Sequence, residues 1–238
     1  MLTVLWSPKG GVGVSVVAAA LAVAKAGGRT SDDVAADDRV ELPGPGLPVQ
    51  EVLLVDPCGD QPSVLGVARP SGPGLRDWAA ASERDPAALL RLTVPVVDGL
   101  RLLPAGDGPP LSPESVAALA GALEGSELDV VVDVGVVRRC GAADPLVGLV
   151  TRADRSLMVV RPCYLALRAG VASPERPDGV VVVEEPGRAL VSRDVADVLA
   201  APVMATVPLD PAVARAVDAG VLARRPPRAL SHALQDLV

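Results

Sequence analysis

The sequence predicts an α/β protein built on a mainly parallel sheet of about seven or eight strands, with helices on both faces. Three observations carry this. Short runs that are apolar throughout recur along the chain, as strands buried on both faces require. Ala- and Leu-rich segments lie between most of them, so strands and helices alternate as in successive βαβ units. Half of the 238 residues are apolar, ample for a core on each side of a sheet.

The elements follow in order. Residues 2–6 (LTVLW) form the first strand, which runs through a glycine-rich turn into a helix over residues 16–26. Residues 27–50 are acidic, rich in Pro and Gly and without period, and read as a mobile surface insertion. A strand at 52–55 (VLLV) is followed by a loop at 68–74 (ARPSGPG) and a helix at 86–92. Next come a strand at 100–103, a helix at 113–123 and a strand at 130–134. The remainder alternates without a break: strand 156–160, helix 165–172, strand 179–183, helix 192–199 and strand 203–207. With no internal repeat and no second core in the pattern, residues 1–238 are expected to form one domain carrying the insertion at 27–50.

Composition narrows the function classes. The net charge is −7, which disfavours a constitutive binder of nucleic acid or anionic membrane, while a local basic patch stays open. The chain has no Phe, and Trp6, Trp78 and Tyr164 are its only aromatic residues, so the core must be Val, Leu and Ala. Cys58, Cys140 and Cys163 have no metal-like spacing. Their odd number, with no basic segment ahead of the first strand, reads as a reducing cytoplasm. They are expected to be small buried hydrophobes. No run reaches the ~18 apolar residues of a membrane span.

The turn after the first strand is SPKGGVGVSVV, residues 7–17. Strand, glycine-rich turn and helix form the setting of a phosphate loop, in which successive amides point into one concavity beside a helix N-terminus. The pattern G-x-x-x-x-G-K-[ST] fails at Pro8, where glycine is expected, and at Val14, where lysine is expected. A glycine-rich turn with no ligand is the alternative. Lys9 favours the loop: the chain has twenty arginines but only two lysines, Lys9 and Lys25, and one of them directly precedes Gly10, Gly11, Val12 and Gly13.

KGGVGVS also resembles the deviant Walker-A motif, K-G-G-x-G-K-[ST], of the ParA/MinD ATPases. The resemblance extends over nearly the whole chain. EVLLVDPCGDQPSVLGV is similar to the family's second-strand motif around V-D-x-D. GLRLLPAG matches its strand ending in Pro-x-Gly, and LDVVVDVG falls at its Walker-B strand. ADRSLMVVRPCYLALRAG and PVMATVPLDPAVARAVDAG resemble its late strand–helix units. The resemblance implies a three-layer P-loop NTPase fold, binding of ATP with Mg²⁺, and a homodimer.

Carried over residue by residue, the same resemblance exposes losses. The lysine that reaches across the dimer maps to Lys9, and the in-cis lysine maps to Val14. The hydroxyl that binds Mg²⁺ maps to Ser15, and Asp133 keeps the Walker-B position as a second metal-side group. Asp56 holds the first aspartate of V-D-x-D. The second, which orients the attacking water, maps to Cys58, with Asp60 two residues on. Glu184 falls at or near the residue that reads adenine. The implied site is therefore Lys9 and Asp56 for catalysis, Lys9, Gly10, Gly11, Val12, Gly13, Val14, Ser15 and Glu184 for nucleotide, and Ser15 with Asp133 for metal. Phosphoryl transfer depends on positioning and on neutralising phosphate charge. Nucleotide and Mg²⁺ are thus expected to be held weakly or lost, and hydrolysis to be slow or absent.

Plainer roles stay open for several of these residues. Lys9 has the plainer reading of a surface lysine and Asp56 that of a cap on the following turn, while Glu184 reads first as a solvated strand-end charge. An ionised Asp133 among valines is costly unless paired or near a cation, which favours a site. Arg215, Arg224, Arg225 and Arg228 are the one basic concentration: a solvated face, or a contact to anions or non-specific DNA. His232 reads as surface. Three functions are consistent with the chain. One is a ParA/MinD-like protein that positions a chromosome, plasmid, septum or pilus machinery, with a protein partner of unknown identity. The second is a pseudo-ATPase scaffold. The third, a metabolic enzyme on a related fold, lacks any polar catalytic constellation. The C-terminal ALSHALQDLV is too short and too poor in basic residues for a MinD-type membrane helix.

Overall fold

A computed structural model describes residues 1–27, 51–137 and 144–238 of the protein. Residues 28–50 of the expected insertion, and Cys140, lie outside the described residues. In chain order the elements are β1 (Leu2–Ser7), α1 (Val14–Lys25), β2 (Val52–Val55), α2 (Gln61–Leu65), α3 (Leu75–Ala80) and α4 (Pro86–Arg91). Then come β3 (Val94–Val97), β4 (Leu100–Leu103), α5 (Pro113–Glu124), β5 (Asp129–Val136), α6 (Val147–Arg152) and β6 (Arg155–Val160). The chain ends with α7 (Tyr164–Val171), β7 (Gly179–Glu184), α8 (Ser192–Leu199), β8 (Val203–Pro208), α9 (Pro211–Asp218) and α10 (Arg228–Leu234), with a 3₁₀ turn at Gln235–Leu237.

The strands form one eight-stranded sheet in the order β3-β4-β2-β5-β1-β6-β7-β8. Every neighbouring pair is parallel except β3–β4. This is the expected fold class, and all seven expected strands are present. The strand added to them is β3, an edge strand joined to β4 through Asp98 and Gly99. Asp-Gly between apolar runs is a strong hairpin signal, and Gly99 takes a φ of +75° as such turns demand. Pro95 within the run obscures the strand, yet an edge strand tolerates it.

Local chemistry starts several helices in one way. Ser112, Asp85 and Asp210 cap α5, α4 and α9 with their side-chain oxygens, each followed by Pro at the first helical position. The cap satisfies an orphan amide and the proline has none to satisfy.

Period-2 alternation divides each central strand between two cores. Leu5, Leu54, Val131, Leu157 and Val181 face α1, α9 and α10. Val4, Trp6, Val55, Val132, Val134, Met158 and Val182 face α3, α5, α6, α7 and α8. The indole of Trp6, fully buried, donates to Ser156 Oγ at 2.9 Å, as a buried Trp requires. Helix α1 is apolar all round, with Val17, Ala18, Ala19, Leu21 and Ala22 almost without exposure. A helix of that kind must be covered on every side, and α2 and α10 complete the cover. Leu230, Leu234 and Leu237 at the C-terminus are fully buried in this core. The C-terminal segment is thus core packing, and His232 is exposed. No helix among the described residues is long and apolar enough to cross a membrane.

Candidate functional site

β1 delivers the glycine-rich loop to the C-terminal edge of the sheet, between β5 and β6. In open α/β sheets ligands bind at such strand ends, where the chain turns from one half of the sheet to the other. Gly11 and Gly13 have φ of +76° and +97°, which a residue with a Cβ adopts only under strain. Gly13 is the N-cap of the twelve-residue α1, and no side chain caps that helix. The first amides of α1 and its dipole are therefore directed at the loop, as an anion site needs. The hydroxyl of Ser7 fixes the loop's base, accepting from Lys9 N at 3.2 Å and donating to Lys9 O at 2.9 Å. The Lys9 ammonium reaches only the Gly10 carbonyl, at 3.4 Å. Val12 and Val14 turn inward and are buried in the α1 core.

The same edge gathers the carboxylates. Asp133 pairs in register with Leu5, and the pairing shifts by one residue just beyond it, so that Trp6 meets Gly135. The neighbours of Asp133, Val132 and Val134, face the opposite core, so alternation turns the carboxylate towards α1. There the Ser15 hydroxyl favours its charged form. Oδ1 accepts from Gly135 N at 3.0 Å, and Oδ2 accepts from Gln61 Nε2 at 2.8 Å. Asp56 follows β2 and is fully buried. Its oxygens accept from Gly59 N (2.7 Å), Asp60 N (3.3 Å) and Gln61 N (3.0 Å). Asp56 thus caps the turn that presents Gln61, as its plainer reading expects.

Gln61 ties these parts together. It is fully buried, and its Nε2 also donates to the Ser15 carbonyl at 3.0 Å. Its Oε1 is buried with no hydrogen-bond partner. Sequence reasoning passed over it. The available signal was a polar residue opening a short apolar helix five positions after Asp56. Ser15 and Asp133 offer hard oxygen donors, which fit a small divalent cation rather than a soft one.

Burial pushes the Asp133 carboxyl up to about 6, against the lowering effect of its bonds from Ser15, Gln61 and Gly135. Asp56 is raised for the same reason, desolvation outweighing the bonds from Gly59, Gln61 and Asp60. For an acid with a raised folded-state pKa, the folded protein holds more protons than the unfolded chain between the two values. Stability therefore falls as pH rises from about 4 to about 6 and stays lower above. In EDTA, Asp133→Asn is expected to flatten that fall, by on the order of 2–3 kcal/mol across the window. Melting temperatures of the two proteins at pH 4, 5, 6 and 7 check this, and parallel curves would contradict it.

Other expected residues lie around this centre. Cys58 is exposed, not buried, because it sits on the turn beyond β2 and not in the strand. Its Sγ donates to the Val134 carbonyl at 3.3 Å. The residue is exposed but its Sγ is turned in against Val134, and desolvation there, then the charges of Asp133, Asp56 and Asp60, push its thiol up to about 12, so it is no thiolate nucleophile at neutral pH. Cys163 is half-buried at the start of α7. Beside the loop, a cavity of about 290 Å³ opens against Val12, Gly13 and Val16. Val183, Val207, Val213, Val217 and Leu230 line it, with Arg161, Asp210 and Asp218 as its charged members. Val183 faces this cavity, whereas Glu184, one residue on, is not part of its lining. The Arg161 Nε is buried without a partner. Strand-end reasoning missed Arg161 because a single arginine after a strand carries no pattern.

No family model and no curated protein sequence matches the chain. Solved structures do. A ParA family ATPase from Chlorobium tepidum superposes with a TM-score of 0.73 at 21% identity, covering 99% of this chain and 96% of its own. The septum site-determining protein MinD of Pyrococcus horikoshii, complexed with Mg-ADP, gives a TM-score of 0.71 at 19% identity, with 99% and 93% covered. Cyanothece McdA(D38A) in its ATP complex gives 0.65 at 16% identity, with 100% and 96% covered. The fold of this chain is that of the ParA and MinD ATPases.

Proposed function

We propose that this is a ParA/MinD-like nucleotide-binding protein for positioning or partitioning inside the cell, of a chromosome or plasmid, a septum or a pilus machinery, and that its ATP hydrolysis is impaired. The observation that carries the reading is the convergence of the 9–15 loop, Ser15, Asp133 and the Asp56 turn at one strand edge, with Val14 buried where a phosphate-binding lysine would stand. The two nucleotide complexes among the similar folds support it. In this reading the loop amides from Gly10 to Ser15 and the α1 dipole hold the phosphates. Ser15 and Asp133 hold Mg²⁺, which would supply the positive charge that the missing in-cis lysine does not. Lys9, its ammonium held by nothing stronger than a carbonyl, is free to turn to the nucleotide of a second copy in a homodimer. Asp56 keeps the turn in place. At position 58 no carboxylate aligns the attacking water, so turnover is slow.

The second reading is a pseudo-ATPase scaffold that recruits a protein partner without turnover. The burial of Val14 favours it, since an aliphatic side chain there has joined the core. Arg215, Arg224 and Arg225 are exposed on α9 and the segment after it, with Arg228 nearby, and suit non-specific contact with DNA phosphates. Isothermal titration with ATP·Mg²⁺, run with light scattering and a turnover assay, separates the readings. The favoured one expects weak binding, ATP-dependent dimerisation and hydrolysis far below that of ordinary ATPases. A dimer that forms without any ATP binding points to the scaffold, and neither binding nor dimerisation removes both.

A further inference from the structure

We propose that Gln61 is a built-in rival of the divalent cation: its carboxamide occupies Oδ2 of Asp133, and a cation that uses this oxygen must displace that contact. The proposal rests on the assignment of Ser15 and Asp133 to metal made above. Its basis is the geometry of one side chain. Gln61 is fully buried, and its Nε2 lies 2.8 Å from Asp133 Oδ2 and 3.0 Å from the Ser15 carbonyl. Both neighbours are acceptors, so the atom between them must be the amide nitrogen and the orphan must be Oε1. The amide hydrogens thus do for the carboxylate what a cation does, offering positive charge to Oδ2. The other oxygen is already committed to Gly135 N at 3.0 Å. Each carboxylate oxygen thus already holds a donor, and a cation approaching Oδ2 meets the Gln61 amide there.

The contact is not placed there by chance packing. The Gln61 backbone N–H donates to Asp56 Oδ2 at 3.0 Å, so the buried Asp56 turn fixes the backbone from which the carboxamide projects. Gln61 is then a positioning residue for Asp133 and not a ligand in its own right. When the carboxamide turns away, the unpartnered Oε1 gains a chance at water or the cation, which offsets part of the lost bond. A purely structural glutamine would be expected to have both ends satisfied, because a buried unpaired acceptor is costly.

Two substitutions test it in the full-length protein, with free Mn²⁺ counted by electron paramagnetic resonance. Gln61→Glu sets a carboxylate against Asp133; two carboxylates about 3 Å apart repel until a cation joins them. Mn²⁺ should bind roughly tenfold tighter than in the wild type, since affinity at oxygen sites rises with ligand charge. Gln61→Met keeps the volume and removes the donor, so Mn²⁺ should bind a few-fold tighter there too. A structural role predicts the opposite for Gln61→Met, because a misplaced Asp133 would bind metal less well. Weaker Mn²⁺ binding in Gln61→Met, or no gain in Gln61→Glu, overturns the proposal. Asp133→Asn separates this from failure of the site itself: if it binds Mn²⁺ as well as the wild type, the metal does not use Asp133 and the underlying assignment falls.

Discussion

Lys25→Met should lower the stability of the protein by about 3–5 kcal/mol, the usual result of stranding one partner of a buried ion pair. Lys25 ends α1 and its ammonium meets Asp129 Oδ2 at 2.7 Å. The two side chains are 3% and 7% exposed, so water cannot take over when one is lost. Asp129 Oδ1 already lacks a hydrogen-bond partner, which leaves the ion pair as its chief compensation. In a chain of this size, each kcal/mol moves the melting temperature by about 2–4 °C. A fall of roughly ten degrees is therefore expected by calorimetry. The double change Lys25→Met with Asp129→Leu should recover most of it, because replacing both charges with apolar groups removes the desolvation penalty. A single mutant within two degrees of the wild type, or a double mutant no better than the single, would show that the pair is solvated after all. The prediction also accounts for the second of the two lysines: only Lys9 is left to act at the loop.

Much of the architecture is legible in the sequence because strands buried on both faces leave a continuous apolar run. LTVLW and DVVVDVGV admit little else. The short helices were less legible. Five or six residues, as in QPSVL or LRDWAA, are too few to show a 3.6-residue period, and their start depends on tertiary contacts. Strand β3 was hidden by Pro95, whose effect on pairing is harmless only at an edge, and edge position is not a local property. At the site, Asp133 was legible because a carboxylate inside a valine run demands a reason. Gln61 and Arg161 were not: their importance lies in partners 46 and 72 residues away for the first and in a cavity wall for the second. Cys58 was expected inside because its residue type prefers burial, but the turn that Asp56 holds faces solvent.

Val14→Lys combined with Cys58→Asp should raise ATP turnover by at least about a hundredfold over either single change, the scale of a restored positioned carboxylate or base. Val14 opens α1 directly after the left-handed Gly13, and it is 6% exposed, so a lysine there must run its stem along the core to bring the ammonium back to the loop. A lysine stem lies along apolar surface while its ammonium reaches the polar edge. A charge-assisted bond to phosphate contributes roughly 1.5–3 kcal/mol, and Val14→Lys alone should tighten ATP binding about tenfold or more. Turnover in that variant should stay low, because water is still unaligned. Cys58→Asp alone should do little. The new carboxylate would stand where desolvation, and then the charges of Asp133, Asp56 and Asp60, already push the Cys58 thiol up to about 12, and both effects would favour its protonated form. With the added lysine, nucleotide and cation in place, that repulsion is offset and the carboxylate ionises. Each substitution thus needs the other, which is why their effects on one transition state should not add. Against this stands the core packing of Val14 with Val12 and Val17. If the apolar contact has closed the cradle, Val14→Lys buries a charge, lowers the melting temperature and leaves ATP affinity unchanged. That pair of results, measured on the single variant, would make the loop a fold relic and the protein a scaffold.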